Sequence, residues 1–555
     1  MHTTGRFLRL RRCAAIGACL AALCGGARAA GDATEDAMAT IRPEAIRADM
    51  RFLADDLLEG RGTGARGYDI AAAFVATRFE ALGLAPAGEQ GSYFQSVPLR
   101  SMRVDQAESS FIVVRGGKER SVQLRQDALL GGNPGVAEST VEARVVFVGF
   151  GVSAREMGYD DYKHVDVKGK IVALMFGAPD FDSSLKAHYS STLEKRRNAA
   201  EHGAAGIILL DDPALEKIYS FATRVRDLAI PEYRWLDPQG QPSHYFPQLK
   251  ATGSLSLEET ERFFEGSGHT AEQVFAAAKA GKSRSFALPL AARLKTVTRS
   301  ALLHSVNVAA KLEGSDPALK TEYVVYSAHL DHLGISTPVQ GDSIYNGALD
   351  NASGTAVMLQ IARAFSAMQP RPRRSLVFVA VAGEEAGLLG SDFFATYPTV
   401  PQISIVADVN TDEVEMLWPL RDVVAFGAEH STLNRAVQRA ALRLHLAQSP
   451  DPFPEEVAFV RSDQYSFVRQ GIPAIMVSPG VKSDDPAIEP AKIFEQWTET
   501  RYHQPQDDMQ QPGLDFDAAA LFARFAYLCG YEITQDTVRP TWNPGDFFGA
   551  KYAKK

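Results

Sequence analysis

Five short stretches in the C-terminal half of the chain place carboxylates and imidazoles where apolar runs end or in Gly/Ser/Asn-rich and polar loops. His329 and Asp331 stand in His329-Leu330-Asp331-His332-Leu333-Gly334, directly after the run Tyr323–Ala328. Asp350 lies in Gly347-Ala348-Leu349-Asp350-Asn351-Ala352-Ser353-Gly354. Glu384 and Glu385 follow Ser375–Val381, and Asp412 follows Ile403–Val409 in Asn410-Thr411-Asp412. His503 closes the set in Tyr502-His503-Gln504-Pro505-Gln506-Asp507-Asp508. Imidazole and carboxylate donors without thiolate suit zinc in a catalytic rather than a structural site. Two ions about 3.5–4 Å apart need one bridging carboxylate and further ligands for each. Asp350, alone in a loop between two clusters, is suited to bridge; His329 with Asp412, and Glu385 with His503, would then complete one ion each. Asp331 can orient the His329 imidazole through its carboxylate, and Glu384 is left free to act as general base. Taken singly these signals are weak, since a histidine after a strand or a Glu-Glu pair is usually structural or solvated. Their joint order within one stretch of chain carries the reading. His332 is not expected to be a ligand.

The elements that must position these residues are legible in outline. Near-continuous apolar strands at 323–328, 375–381, 403–409 and 474–477 alternate with helices. That pattern predicts a mostly parallel sheet covered on both faces, whose ligands bind beyond the carboxyl ends of the strands. Gly354–Phe365 reads as a helix with Ser353 as its N-cap. Upstream, Ile41–Leu58 and Gly67–Leu82 read as helices around the loop Glu59-Gly60-Arg61-Gly62-Thr63-Gly64. Strand, helix and strand near 145–151, 170–175, 197–204 and 205–210 predict a smaller unit of its own. The stretch from Asp212 to Arg293 has no clear pattern.

The order His-x-Asp, Asp-Asn-Ala-Ser-Gly, Gly-Glu-Glu-x-Gly, Asn-x-Asp and a late Tyr-His-x-Pro-x-Asp-Asp resembles the co-catalytic dizinc aminopeptidases. These include secreted bacterial leucine aminopeptidase-like enzymes and, more distantly, the glutamate carboxypeptidases. Leu57–Gly64 is similar to the family's N-terminal segment, and Tyr159–Tyr162 with Gly169–Val172 and Asn198–Gly206 to the protease-associated domain that many members carry. Arg461–Phe467 resembles a further stretch near the active site, with Gln464 where relatives often have histidine. The resemblance implies two Zn2+ held by His329, Asp350, Glu385, Asp412 and His503, with Asp350 bridging, Glu384 as base and Asp331 as partner of His329. It implies an α/β fold: a three-layer zinc-peptidase domain with a central mostly parallel mixed sheet, plus an inserted β-rich protease-associated domain. Expected boundaries are 1–29 (signal peptide), 36–130 and 296–535 (peptidase), 131–295 (insert) and 536–555 (tail).

Composition sets the frame. An apolar share of 45% with 23% charged residues is that of a globular protein, and a net charge of -9 argues against a nucleic-acid partner. Arg6, Arg9, Arg11 and Arg12 precede the apolar run Cys13–Cys24, and Ala27-Arg28-Ala29 follows. That is the layout of a secretory signal, too short for a stable membrane span, so the protein is expected to be exported, periplasmic or secreted. Cys529 is then the one thiol of the mature chain, which leaves no internal disulfide. The expected activity is removal of N-terminal residues from peptides with a free amine. The alternatives are a dizinc carboxypeptidase or other amide hydrolase on the same fold, and a non-catalytic peptide-binding module.

Overall fold

The computed structural model describes residues 30–554; the expected signal segment at 1–29 lies outside the described residues. Seven strands organise the larger unit: Phe94–Val104 (β1), Phe286–Leu312 (β2), Tyr323–His329 (β3), Ser375–Val381 (β4), Ile405–Thr411 (β5), Asp422–Phe426 (β6) and Ala474–Pro479 (β7). They pair in the order β1-β2-β4-β3-β5-β7-β6. The central four are parallel; β2 and β6 flank them antiparallel, and β1 pairs antiparallel with β2. All seven residues of β4 and of β5 are buried, which is why these runs are apolar throughout rather than alternating.

Eight helices matter for the site: Pro43–Leu53 (α1), Arg66–Ala81 (α2), Gly354–Ala367 (α3), Leu389–Thr396 (α4), Leu433–Arg443 (α5), Gln464–Arg469 (α6), Phe516–Gln535 (α7) and Phe547–Tyr552 (α8). Successive side chains of a strand leave opposite faces, so each strand feeds two cores. Tyr326 and Phe378 pack with Met50 of α1, Phe79 of α2, Phe365 of α3, Val437 of α5 and Phe522 of α7. Val325 and Val379 pack on the other side with Phe394 of α4, Phe467 of α6 and Phe548 of α8. The result is three layers.

A second sheet is built from strands at 110–115, 118–122, 128–131, 138–147, 171–175, 206–210 and 251–255, together with the first half of β2. It has an apolar core of its own around Phe111, Phe147, Phe263 and Leu294. Its first strand in chain order is Ser110–Arg115. The hairpin of 110–115 with 118–122 turns on Gly116-Gly117 and pairs with Ala291–Lys295 of β2. The 27-residue β2 then runs uninterrupted from one sheet into the other, so no linker marks the boundary. Within the stretch that showed no pattern, Glu232–Trp235 adds to the edge of the larger sheet against β1. No described helix is long and apolar enough to cross a membrane.

The tail folds back onto the larger unit. His430 pairs with Asp546 at 2.7 Å, just before α8, and lies 3.3 Å from Glu429. Burial disfavours the charged ring, but the two carboxylates outweigh it and hold its pKa at about 9. A value raised above the ordinary 6.5 contributes stability that is complete below that value and is lost as pH rises through about 9. Replacing His430 by Gln is expected to cost roughly 1–3 kcal/mol at pH 6, allowing for the solvent around Glu429. The gap in melting temperature from wild type should close as pH approaches 10; a gap independent of pH would rule the pairing out as its source.

Candidate metal centre

The donor residues converge at the carboxyl ends of β3, β4 and β5. His329 is the last residue of β3, Glu384 and Glu385 lie in the turn after β4, and Asp412 follows β5 directly. His329 Nε2 lies 2.9 Å from Asp412 Oδ1 and 3.2 Å from Asp350 Oδ1. His503 Nε2 lies 3.3 Å from Asp350 Oδ2 and 3.1 Å from Glu385 Oε2. The two oxygens of Asp350 therefore face two different trios. Ligand atoms about 2.0–2.1 Å from a tetrahedral zinc sit about 3.3–3.5 Å from one another, and the histidine-to-carboxylate distances on both sides come close to that spacing.

His332 also approaches this cluster. Its Nδ1 is 2.5 Å from Glu385 Oε1 and 3.8 Å from Asp350 Oδ2, so His332, Asp350 and Glu385 form a second conceivable trio. A separation of 2.5 Å is too short for two ligands of one ion and fits a hydrogen bond. His332 steadies the Glu385 oxygen that turns away from His503, as outer partners of metal-binding carboxylates do.

Charge balance supports a cation. Among the described residues no lysine or arginine pairs with Asp350, Glu385 or Asp412, whose ion pairs are all to histidine. Burial opposes a charge on His329, yet Asp412 and Asp350 hold it well above the ordinary imidazole value. His503 is raised in the same way by Glu385 and Asp350. Buried carboxylates in this excess are stable only when paired or bound to a metal. The donor set, oxygen and nitrogen without sulfur, fits zinc.

The loop carrying Asp350 is built to stay put. Leu349 N–H donates to both oxygens of the buried Asp507, and Asp350 N–H to Asp507 Oδ2 at 3.0 Å. At Gly347, with φ of 60°, a Cβ would come within 2.1 Å of the Asp350 carbonyl oxygen and 2.5 Å of His332 Cγ, so only glycine serves. Ser353 does not cap α3. It is itself helical, and its hydroxyl donates to the Leu349 carbonyl while accepting from Val414 N–H, which ties the Asp350 loop to the Asp412 segment.

Asp331 acts differently from the expectation. Its carboxylate is 3.9 Å from His329 Nδ1, too far for a hydrogen bond. The ring nitrogen instead faces the Asp331 backbone carbonyl at 3.1 Å. A proton on Nδ1 leaves the Nε2 lone pair aimed at the carboxylates, the tautomer a metal ligand needs. The Asp331 carboxylate accepts from Thr63 Oγ1 at 3.0 Å and from the Glu384 backbone N–H at 3.1 Å. It positions the Glu384 turn, and the backbone rather than the side chain steers His329.

Glu384 is half-buried, and its carboxylate has no hydrogen-bond partner among the described residues. Burial, with Asp412, Glu385 and Asp463 nearby, raises its pKa well above the usual carboxylate range against the pull of His329. Asp412 turns its second oxygen to the Ser462 hydroxyl at 2.6 Å, a partner that sequence reading missed. Gln464 is fully buried, accepts from Asn410 Nδ2 at 3.1 Å and donates to the Phe459 carbonyl at 2.9 Å. It braces the strand end beneath Asp412 rather than lining a pocket.

Residues 307–527 match Peptidase family M28. All the donor residues named above fall within the matched stretch. Among curated relatives, a probable zinc metalloprotease of Pyrenophora teres f. teres is 38% identical over 109 residues, 19% of this chain and 22% of that protein. Aminopeptidase NAALADL1 of Rattus norvegicus is 32% identical over 126 residues, 22% of this chain and 15% of that protein. The chain thus spans less than a quarter of the length of these relatives. The fold as a whole, second sheet included, is similar to the aminopeptidase from Aneurinibacillus sp. strain AM-1. The TM-score is 0.52 with 18% identity, over 92% of this chain and 100% of that one. The matched stretch holds these residues in sequence order; the loops just described set their geometry.

Proposed function

We propose that this chain is an exported aminopeptidase that uses two zinc ions to remove N-terminal residues from peptides. The observation that carries the reading is Asp350, whose two oxygens face His329 at 3.2 Å and His503 at 3.3 Å in separate donor trios. His329, Asp350 and Asp412 would hold one ion, and Asp350, Glu385 and His503 the other. Bound there, zinc would lower the pKa of water from 15.7 toward about 7 and polarise the scissile carbonyl. Glu384, whose carboxylate has no hydrogen-bond partner among the described residues and whose proton affinity is raised by burial, would act as a carboxylate that takes a proton from the attacking water and returns it to the leaving nitrogen. Asp331 holds the Glu384 turn in place for both transfers, through the backbone N–H that it accepts.

Acids beside the site favour a free amine over a free carboxylate. Glu413 is half-buried next to Asp412, and Glu415 engages the Ser478 hydroxyl at 3.2 Å. Asp408 does not contribute, since it is buried within the central strand β5 and accepts from Ser327 Oγ at 2.9 Å. Export rests on the arginine-led apolar segment at 6–29, and the second sheet is read as a protease-associated insert. A panel of aminoacyl chromogenic amides, with N-blocked and C-terminal reporters alongside, tests the activity before and after chelation and zinc restoration. Zinc-restorable cleavage of free-amine substrates alone is expected. Turnover confined to C-terminal reporters would make the chain a carboxypeptidase, and silence throughout would return it to a binding module.

A further inference from the structure

We propose that Arg61 sets the metal affinity of the centre by fixing the distance between its two donor loops. This rests on the dizinc reading above. Arg61 is fully buried in the glycine-rich turn after α1, yet it makes no ion pair among the described residues. Its guanidinium donates only to backbone carbonyls. Nε reaches Leu330 at 2.8 Å, Nη1 reaches Asn346 at 2.6 Å and also Leu53, and Nη2 reaches Gly347 at 2.9 Å. Leu330 is the residue after His329, while Asn346 and Gly347 open the loop that ends in Asp350. One planar, rigid group thus spans both loops and α1.

The backbone around it repeats the grip. His332 N–H donates to the Arg61 carbonyl at 3.3 Å, and Thr63 Oγ1 donates to Asp331 at 3.0 Å. At Gly60, with φ of 69°, a Cβ would lie 2.4 Å from the Tyr345 carbonyl and 2.7 Å from that of Gly334. The turn is pressed against both loops with no room for a side chain before the arginine. A buried arginine without a carboxylate is costly, and its charge is offset across space by Asp350, Asp331, Asp507 and Glu385. Lysine could keep the charge but not the planar fork of donors.

Two effects oppose each other at this position. A cation beside the centre repels bound ions, so removing it should tighten them; loosening the two loops should weaken them. The four carbonyls held by one group make positioning the larger effect. Outer-shell partners of metal ligands typically change affinity about 10–100-fold. The test is zinc affinity by chelator competition, with visible spectra of the Co2+-substituted protein, for the wild-type chain, Arg61→Met and Arg61→Lys. Arg61→Met, folded by circular dichroism, is expected to bind at least one ion about 10–100-fold more weakly and to alter the Co2+ bands, with partial recovery in Arg61→Lys. Unchanged or tighter binding by folded Arg61→Met would overturn the inference, because a merely structural arginine would lower melting temperature and leave affinity alone. Should Arg61→Met not fold, Arg61→Lys decides, and wild-type affinity and spectrum in that variant would overturn it. A wild-type chain that takes up no zinc would overturn the dizinc reading itself, which the same titration shows separately.

Discussion

Asp350→Asn is expected to lose zinc from both positions together and to fall by at least about three orders of magnitude in turnover. Asp350 is the one residue that belongs to both donor trios. An amide keeps the shape but has one oxygen and no charge, so it can serve one side at most. The remaining acids would still gather round His329 and His503, so the fold should tolerate the change. By contrast, Asp412→Asn should weaken chiefly the ion on the His329 side, because Asp412 reaches His329 and not His503. Metal analysis after dialysis separates the two variants. The expected pattern is well under one zinc per chain for Asp350→Asn and about one for Asp412→Asn. Full occupancy in Asp350→Asn would show that the aspartate does not bridge, whatever its effect on rate. A loss of three orders in rate corresponds to about 4 kcal/mol of transition-state stabilisation, within what a bridging carboxylate and the metal chemistry it supports can supply.

The central sheet and the gathering of acids and histidines at its rim were legible because both follow from local rules. Strands covered on both faces must be apolar along their whole length, so their ends are visible, and polar residues at those ends stand out. His329, Glu385 and Asp412 could be placed on one rim from sequence alone for that reason. What was not legible depends on which atom of a residue faces which neighbour. Asp331 was expected to work on His329 through its carboxylate, but the turn after β3 brings its carbonyl to the ring and frees the carboxylate for Thr63 and Glu384. Ser353 looked like a cap because serine before a glycine-led helix usually is one; the chain is already helical there. Arg61 was passed over because a charged residue between glycines reads as exposed loop. Its burial depends on segments more than 260 residues away in sequence. β2 serves both sheets without a break, so no local signal separates the two units in the sequence.

Glu384→Gln provides the complementary result: zinc content should stay at the wild-type level while kcat falls about 10²–10⁴-fold, the usual worth of a positioned base. Glu384 touches neither His329 nor His503 among the described contacts, and Glu385, its neighbour, supplies the donor to the second trio. The amide is nearly isosteric, and the Glu384 backbone N–H that Asp331 holds is unaffected, so the turn should not move. KM should change little, because the carboxylate's contribution lies in moving a proton in the transition state rather than in binding substrate. Asp331→Asn offers a graded control. It keeps an oxygen for the Glu384 N–H but weakens the acceptor, so it should lower kcat by less than Glu384→Gln and leave zinc in place. If Glu384→Gln turned over normally, the proton would have to travel through another group, and Glu413 and Glu415, both half-buried beside Asp412, are the candidates among the described residues. Loss of zinc in Glu384→Gln would instead place Glu384 among the donors and reassign the pair after β4.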